Sequence, residues 1–418
     1  MKLREALNIK TISAGVLAAI FGCTGPALIV IGGAQNGGLT QVETISWLFA
    51  IYFFGGILGV FLSIRYRQPI AGAYSIPAAV LVAGALTTNT LSEASGAYLI
   101  AGIIVLLLGI SGMIGKVMRW IPGPIVMAMI VGAMISFGTD MILSIEEAPL
   151  IAGTAVVLYL LSTALTKKVP AILPAFIGTM VIALAMGQFS LSGMEPALVM
   201  PQLVMPTFSF EAIISISIPL ALLVIGAENA QATGVLISQG YKPPINMMTI
   251  LSGVGGILAS LFGGHNANIA GPMTAICASE EAGEDKEKRY GSVIINGTLF
   301  ILFGIFAGIA VPFVTAMPGT LVGTIAGLAM IGVLLSSLQS AFSEPKFQVG
   351  AFFALIIGIS GISFFGISAP FWSLLGGVAV SLVIEQKDFK DTAVNEGGDK
   401  IKIIEKETPK IESVSTIE

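Results

Sequence analysis

Apolar runs of about twenty residues alternate with short polar breaks along the chain until residue 386, where the pattern stops. About twenty apolar residues are what a helix needs to cross a hydrocarbon layer. The pattern predicts fourteen such segments, at roughly 11–34, 44–64, 69–88, 97–115, 121–143, 149–166, 170–189, 211–237, 245–262, 265–279, 290–312, 318–336, 349–367 and 369–385. The third and tenth are short or rich in Gly, Pro and polar residues, and Lys167-Lys168-Val169-Pro170 alone separates the sixth from the seventh.

Charge placement orients these segments. With the N-terminus inside and strict alternation, the inner connections hold Arg65 and Arg67, Lys116 and Arg119, Lys167 and Lys168, Lys242, the group Lys286, Lys288 and Arg289, and Lys346. Lys2, Arg4 and Lys10 precede the first segment, and the remaining bases follow Lys387. The outer connections hold Glu43, Asp140, Glu146, Glu147, Glu195 and Glu211 and no Lys or Arg. A miscounted segment would scatter bases onto both sides, so the split supports the count and two inner termini together.

Composition narrows the class. Hydrophobic residues make up 55% of the 418 and charged residues only 11%, so lipid must replace water around most of the surface. No basic stripe points to nucleic acid. Cys23 and Cys277 both fall in apolar segments and read as small core residues. The basic start could belong to a signal peptide, but its apolar stretch runs on to about Ala34, as a retained segment would. Residues 387–418 are charged, without apolar periodicity, and read as a flexible cytoplasmic tail.

The chain repeats itself. A shift of 193 lays Gly33-Ala34-Gln35-Asn36 on Gly226-Ala227-Glu228-Asn229. A shift of 200 lays Gly55-Gly56 on Gly255-Gly256, one of 199 lays Ile70-Ala71-Gly72 on Ile269-Ala270-Gly271, and one of 196 lays Pro122-Gly123 on Pro318-Gly319. Seven segments per half is an odd number, so the second half enters the membrane upside down. The expected fold is an all-α membrane protein of fourteen segments arranged as a 7+7 inverted repeat, an architecture of secondary transporters.

In the third and tenth segments, residues 68–74 and 265–269 are poor for a membrane helix, and Pro77 and Pro272 follow near a helix start. An extended stretch reaching mid-membrane, then a half-helix, is expected in each. Extended backbone at that depth must be paired, and the two stretches can pair with each other. Both half-helix starts, that at Gly271 included, would then turn free N–H groups toward one pocket and favour an anion. The alternative is that the prolines only kink ordinary helices.

Glu228 is the carboxylate deep inside an apolar segment. Burial disfavours its ionised form, and a carboxyl that exchanges its proton as exposure changes is what proton coupling needs. It could instead only pack helix on helix. Its repeat mate Gln35 cannot titrate and could bind substrate or a helix. His265, the single histidine, could handle a proton or be structural; alone it makes no metal site. Tyr74, Ser75, Asn268 and Thr274 lie in the interrupted segments and could bind substrate, Tyr74 against a flat ring. No nucleophile–base constellation or nucleotide loop is present, so an enzyme is not expected, and no cofactor or metal is called for.

Ser46-Trp47, Arg65-Tyr66-Arg67-Gln68-Pro69, Tyr74-Ser75-Ile76-Pro77 and the run Phe262-Gly263-Gly264-His265-Asn266-Ala267-Asn268 through Ala275-Ile276-Cys277-Ala278 resemble the BenE family of benzoate:proton symporters. The resemblance covers most of the chain before the tail. It implies the fold of uracil:proton symporters and sulfate-type anion carriers: a core domain (1–120 and 211–315), a gate domain (121–210 and 316–386), and substrate between the third and tenth segments beside the eighth. Two positions depart from that family, which usually has Trp-Ser-Thr-Pro at Tyr74-Ser75-Ile76-Pro77 and Gln at Glu228. A Glu there is similar to the nucleobase symporters. The expectation is proton-coupled uptake of benzoate or a similar aromatic carboxylate across the inner (plasma) membrane. A nucleobase or other organic anion is the alternative. The expected partners are the small anion, protons and lipid; transporters of this fold often form homodimers through the gate.

Overall fold

The computed structural model describes residues 3–114, 122–165, 170–189, 198–364, 367 and 369–389. Lys2, Lys116, Arg119, Lys167, Lys168, Glu195 and the tail from residue 390, all used in the charge reading, lie outside these residues. Among the described residues six helices are long and apolar enough to cross a membrane. A seventh crossing results if Lys286–Ile305 and Ala307–Thr315, bent by 68°, form one span. The other apolar helices are shorter, such as Pro149–Leu165, Ile172–Ala185, Gln348–Ser360 and Ala369–Ile384.

Local chemistry sets the helix ends. Gln41–Tyr66 begins ahead of its apolar run because Thr40 and Glu43 form a capping box, with the Thr40 N–H donating to the Glu43 carboxylate at 2.8 Å. Thr90 and Glu93 do the same for Leu91–Ser111. The first segment is two helices, Ile9–Cys23 and Gly25–Asn36. They break at Thr24, whose hydroxyl donates back to the Ile20 carbonyl at 2.9 Å, while Pro26 has no N–H to continue the ladder. Within Phe210–Ser238 the helix widens into π turns at Ile213–Ser217 and Leu223–Asn229. Gly319–Phe342 runs past the predicted end at 336, through a polar stretch of serines.

The third and tenth segments are interrupted as expected. Strand β1, Gly72–Ala73, pairs antiparallel with strand β2, Asn268–Ile269, with Gly72 opposite Ile269 and Ala73 opposite Asn268. The Ala270 N–H donates to the Ala71 carbonyl at 2.9 Å. Side chains cover backbone groups the short ladder leaves over. The Ala71 N–H donates to Thr274 Oγ1 at 3.2 Å and the Ile269 N–H to Ser252 Oγ at 3.2 Å. Left unpaired in lipid, each such group would cost on the order of several kcal/mol.

The repeated glycines explain how helices reach these strands. A Cβ on Gly55 would strike the backbone of Ala73, and one on Gly255 the backbone of Ala267. In each half the helix before the interruption therefore lies directly on extended chain. Packing follows the same relation: Leu91–Ser111 lies on Ile245–Ser260 as Tyr290–Ile305 lies on Gln41–Tyr66. A second group joins Gly123–Glu147 with Gly319–Phe342, Gln348–Ser360 and Ala369–Ile384, and Pro149–Leu165 with Ile172–Ala185.

Several basic loops gather at one end. Lys10 pairs with Glu284 at 3.2 Å, Gln68 donates to the Lys242 carbonyl at 2.9 Å, and the Tyr241 hydroxyl donates to the Lys286 carbonyl at 2.7 Å. Burial pushes the Tyr241 phenol up to about 12, against the pull of Arg289, and the hydrogen bond from Lys288 holds the Asp285 carboxyl below its usual range. At the other end residues 198–209 run across the helix starts, where Gln202 donates to Ser46 and Thr207 to the Ser92 carbonyl.

Candidate functional site

Each strand runs into a half-helix. After β1, Ser75 caps Ile76–Ala85 by accepting the Ala78 N–H at 3.3 Å, and Pro77 occupies the second helical position. After β2, Gly271–Ala278 begins with Pro272 likewise second. The two starts lie together because β1 and β2 are one ladder.

Glu228 sits at this junction. Its Oε2 accepts the Gly271 N–H at 3.0 Å, and the Ser75 hydroxyl and the Ile76 N–H also face the carboxyl group. It is 4% exposed, and the π turn Leu223–Asn229 carries it. A π turn adds a residue to the helical circuit and so rotates the side chains that follow, a feature often found at functional sites. Just beyond, Asn229 fixes the segment to its neighbour: its Oδ1 accepts from Ser252 at 3.2 Å and its Nδ2 donates to Thr249 at 3.4 Å.

A cavity of about 560 Å³ opens beside Glu228. Phe21, Ile76, Pro77, Gly226, Gln231 and Pro272 line one wall. Met127, Ile130, Tyr159 and the face Ala329, Gly332, Val333, Ser336, Ser337 and Ser340 line the other. The cavity thus lies between the two helix groups. Its size and its apolar lining with few polar groups fit a small-molecule site. Among the described residues its lining includes no Lys or Arg, so backbone amides are the positive ends at hand.

The other expected site residues fall into three sets. Gly271 and Ser75 touch Glu228 directly. Asn268 and Thr274 serve the ladder: Asn268 Nδ2 donates to the Ile269 carbonyl at 2.9 Å, its Oδ1 has no partner among the described residues, and Thr274 accepts the Ala71 N–H. Tyr74, His265 and Gln35 do not line the cavity. Tyr74 is buried, with its hydroxyl 2.9 Å from that of Tyr52, so it is not placed to cover a substrate ring; Phe21 and Tyr159 are the aromatic walls. His265 is fully buried between Trp47 and the Ser75 carbonyl. It clamps the Ser75 carbonyl to the Trp47 indole, away from the cavity lining. Gln35 is exposed at the end of Gly25–Asn36.

Sequence reasoning passed over Gln231 and the serines. Gln231 lies three residues after Glu228, on the same helical face. Ser336, Ser337 and Ser340 follow the same spacing, and their polarity looked like the end of a span.

A second polar node anchors the far end of the half-helix. Arg289, 5% exposed, donates to the Ala278 carbonyl at 2.7 Å, the Gly283 carbonyl at 2.6 Å and Gln239 Oε1 at 3.0 Å. Ala278 ends the half-helix, and Gln239 caps the helix that carries Glu228. One guanidinium therefore ties together the two elements that meet again at Glu228 and Gly271.

The comparisons with known proteins agree with this architecture. The BenE family model, described as benzoate membrane transport protein, matches residues 5–383. The benzoate membrane transport protein of Acinetobacter baylyi (strain ATCC 33305 / BD413 / ADP1) is 28% identical over 386 residues, covering 92% of this chain and 98% of that protein. The inner membrane protein YdcO of Escherichia coli (strain K12) is 29% identical over 374 residues, covering 90% and 95%. Among solved structures, SLC26A9 superposes with a TM-score of 0.65 at 14% identity over 92% of this chain; the chain spans 66% of that protein, just under two thirds. The transmembrane domain of the cyanobacterial bicarbonate transporter BicA gives 0.57 at 14% identity, covering 90% of this chain and 97% of that one. At these identities the structures establish a shared fold. The chain is a multi-pass helical membrane protein with that transporter fold, and it belongs to the BenE family of benzoate membrane transport proteins.

Proposed function

We propose that this protein is a secondary active transporter that takes up benzoate or a similar small aromatic carboxylate together with protons. The chain would cross the membrane fourteen times as two inverted sevens, with both termini in the cytoplasm. The core (1–120 and 211–315) would move against the gate (121–210 and 316–386), exposing the cavity to each side in turn. One observation carries the reading: Glu228 faces the cavity at the meeting point of two half-helix starts. Amides there can hold an anion, the carboxyl group can hold a proton, and the apolar walls suit an aromatic body. The family membership and the name of the Acinetobacter relative support benzoate.

The test is uptake of labelled benzoate into proteoliposomes with and without an inward proton gradient. Accumulation driven by the gradient is expected, and Glu228→Gln should abolish accumulation while exchange persists. Full gradient-driven uptake by that variant would remove Glu228 from coupling. A nucleobase is the second reading, favoured by Glu228 and Gln231 side by side, an acceptor and an amide suited to the edge of a flat heterocycle. A thermal-shift panel of benzoate, substituted benzoates, uracil, xanthine and sulfate separates the two; stabilisation by bases alone would replace the first reading with the second.

A further inference from the structure

Among the described residues the amides at these two half-helix starts, that of Met273 apart, are already in use. Pro77 and Pro272 supply no N–H in the first turn of either half-helix. The Ala78 N–H is bonded to the Ser75 hydroxyl, the Ala79 N–H to the Ser75 carbonyl and the Thr274 N–H to the Ala270 carbonyl. The first amide of each half-helix, Ile76 and Gly271, is turned to Glu228. We propose that Glu228 is a tethered competitor of the transported anion: its carboxylate holds the amide site in the empty protein, and a substrate carboxylate enters only when Glu228 leaves with a proton.

The proposal rests on reading the cavity as a carboxylate site. Two carboxylates cannot share these amides. Like charges at contact in a low dielectric repel strongly, and among the described residues no cation lines the cavity to offset them. A neutral Glu228 gives up the amides at little cost and has somewhere to go. The carboxyl borders the cavity, and Gln231, whose side chain makes no hydrogen bond among the described residues, lies over Gly271 on the same side. The proton comes from water on the open side and leaves to water on the other side when the anion is released and Glu228 reclaims the amides. Among the described residues the titratable groups near this point are Tyr74, which has Cys23 beside it, Tyr159 across the cavity, and His265 on the Ser75 carbonyl. None of these is a carboxylate, and none lies on the amides. One proton per anion follows, and the loaded site carries one negative charge whether Glu228 or substrate holds it.

The experiment is benzoate binding to purified full-length protein, measured by calorimetry at mildly acidic and mildly alkaline pH, for the wild type, Glu228→Ala and Glu228→Gln. A competitor predicts that wild-type affinity falls about tenfold per unit rise in pH once Glu228 is ionised. Both variants then bind at least as tightly as the wild type does in acid, with no pH dependence. Binding lost in both folded variants would make Glu228 a direct ligand and overturn the proposal. So would wild-type affinity that ignores pH, while leaving the carboxylate reading intact. Absence of benzoate binding in all three proteins at every pH would overturn both.

Discussion

The Trp47 indole N–H donates to His265 Nδ1 at 2.9 Å, and this bond decides the tautomer of the single histidine. An indole can only donate, so Nδ1 accepts, and in the neutral ring Nε2 carries the hydrogen. That hydrogen points to the Ser75 carbonyl 3.2 Å away. The next residue, Asn266, accepts the Ser75 N–H at 3.1 Å. Two consecutive side chains of the tenth segment thus hold both backbone groups of the residue that caps the half-helix of the third.

His265→Ala is expected to destabilise the protein by about 1–3 kcal/mol, because the Trp47 N–H is left buried without a partner. Thermal unfolding in detergent measures this. The pH profile of uptake by the residual folded fraction should match that of the wild type. A displaced profile would return His265 to proton handling.

Gly271→Ala should weaken substrate binding, because its Cβ would fall on the Gln231 side chain, 2.6 Å from Cδ and 2.9 Å from Cβ, and push it into the cavity. Adding Gln231→Gly removes the whole obstruction, Cβ included, and should recover the space. If the double variant binds no better than Gly271→Ala alone, the loss arises in the Gly271 backbone and not in the crowding.

Arg289→Ala should cost at least about 2 kcal/mol, since two buried carbonyls and the half-buried Gln239 lose a charged donor. Arg289→Lys should recover little of it, because one ammonium nitrogen cannot stand in for both Nε on Gly283 and Nη1 on Ala278 and Gln239. Uptake separates positioning from bulk stability. If the guanidinium sets the register of Glu228 against Gly271, KM rises in Arg289→Lys at temperatures where the protein stays folded.

Glu385→Ala should lower the unfolding temperature by the equivalent of about 1 kcal/mol without changing substrate affinity. Its carboxylate accepts the Val349 N–H at 2.8 Å and the Gly350 N–H at 3.0 Å, capping the helix Gln348–Ser360 from the end of the helix Ala369–Ile384. Altered affinity would show that this cap reaches the cavity.

The sequence made the ladder, the half-helices and Glu228 legible because each leaves a mark that depth alone makes unusual. Proline inside an apolar run, a carboxylate in lipid and a broken segment echoed at constant shift all conflict with a plain membrane helix. What it hid was azimuth. Apolar segments buried on most faces carry little periodicity, so nothing said which way Tyr74 or His265 pointed. The π turn at Leu223–Asn229 rotates Glu228 and Gln231 together, and no residue pattern announces it. The serines of Gly319–Phe342 resemble a span end in sequence because hydropathy scores a cavity wall and a loop alike.

The ladder between Gly72–Ala73 and Asn268–Ile269 also constrains how the protein is made. Synthesis delivers the third segment long before the tenth exists, so β1 enters the membrane with no strand to bond. Its final position has to wait for β2, and the first half must tolerate an unsettled segment until then. The two halves look like independent copies in sequence, yet neither can finish folding by itself.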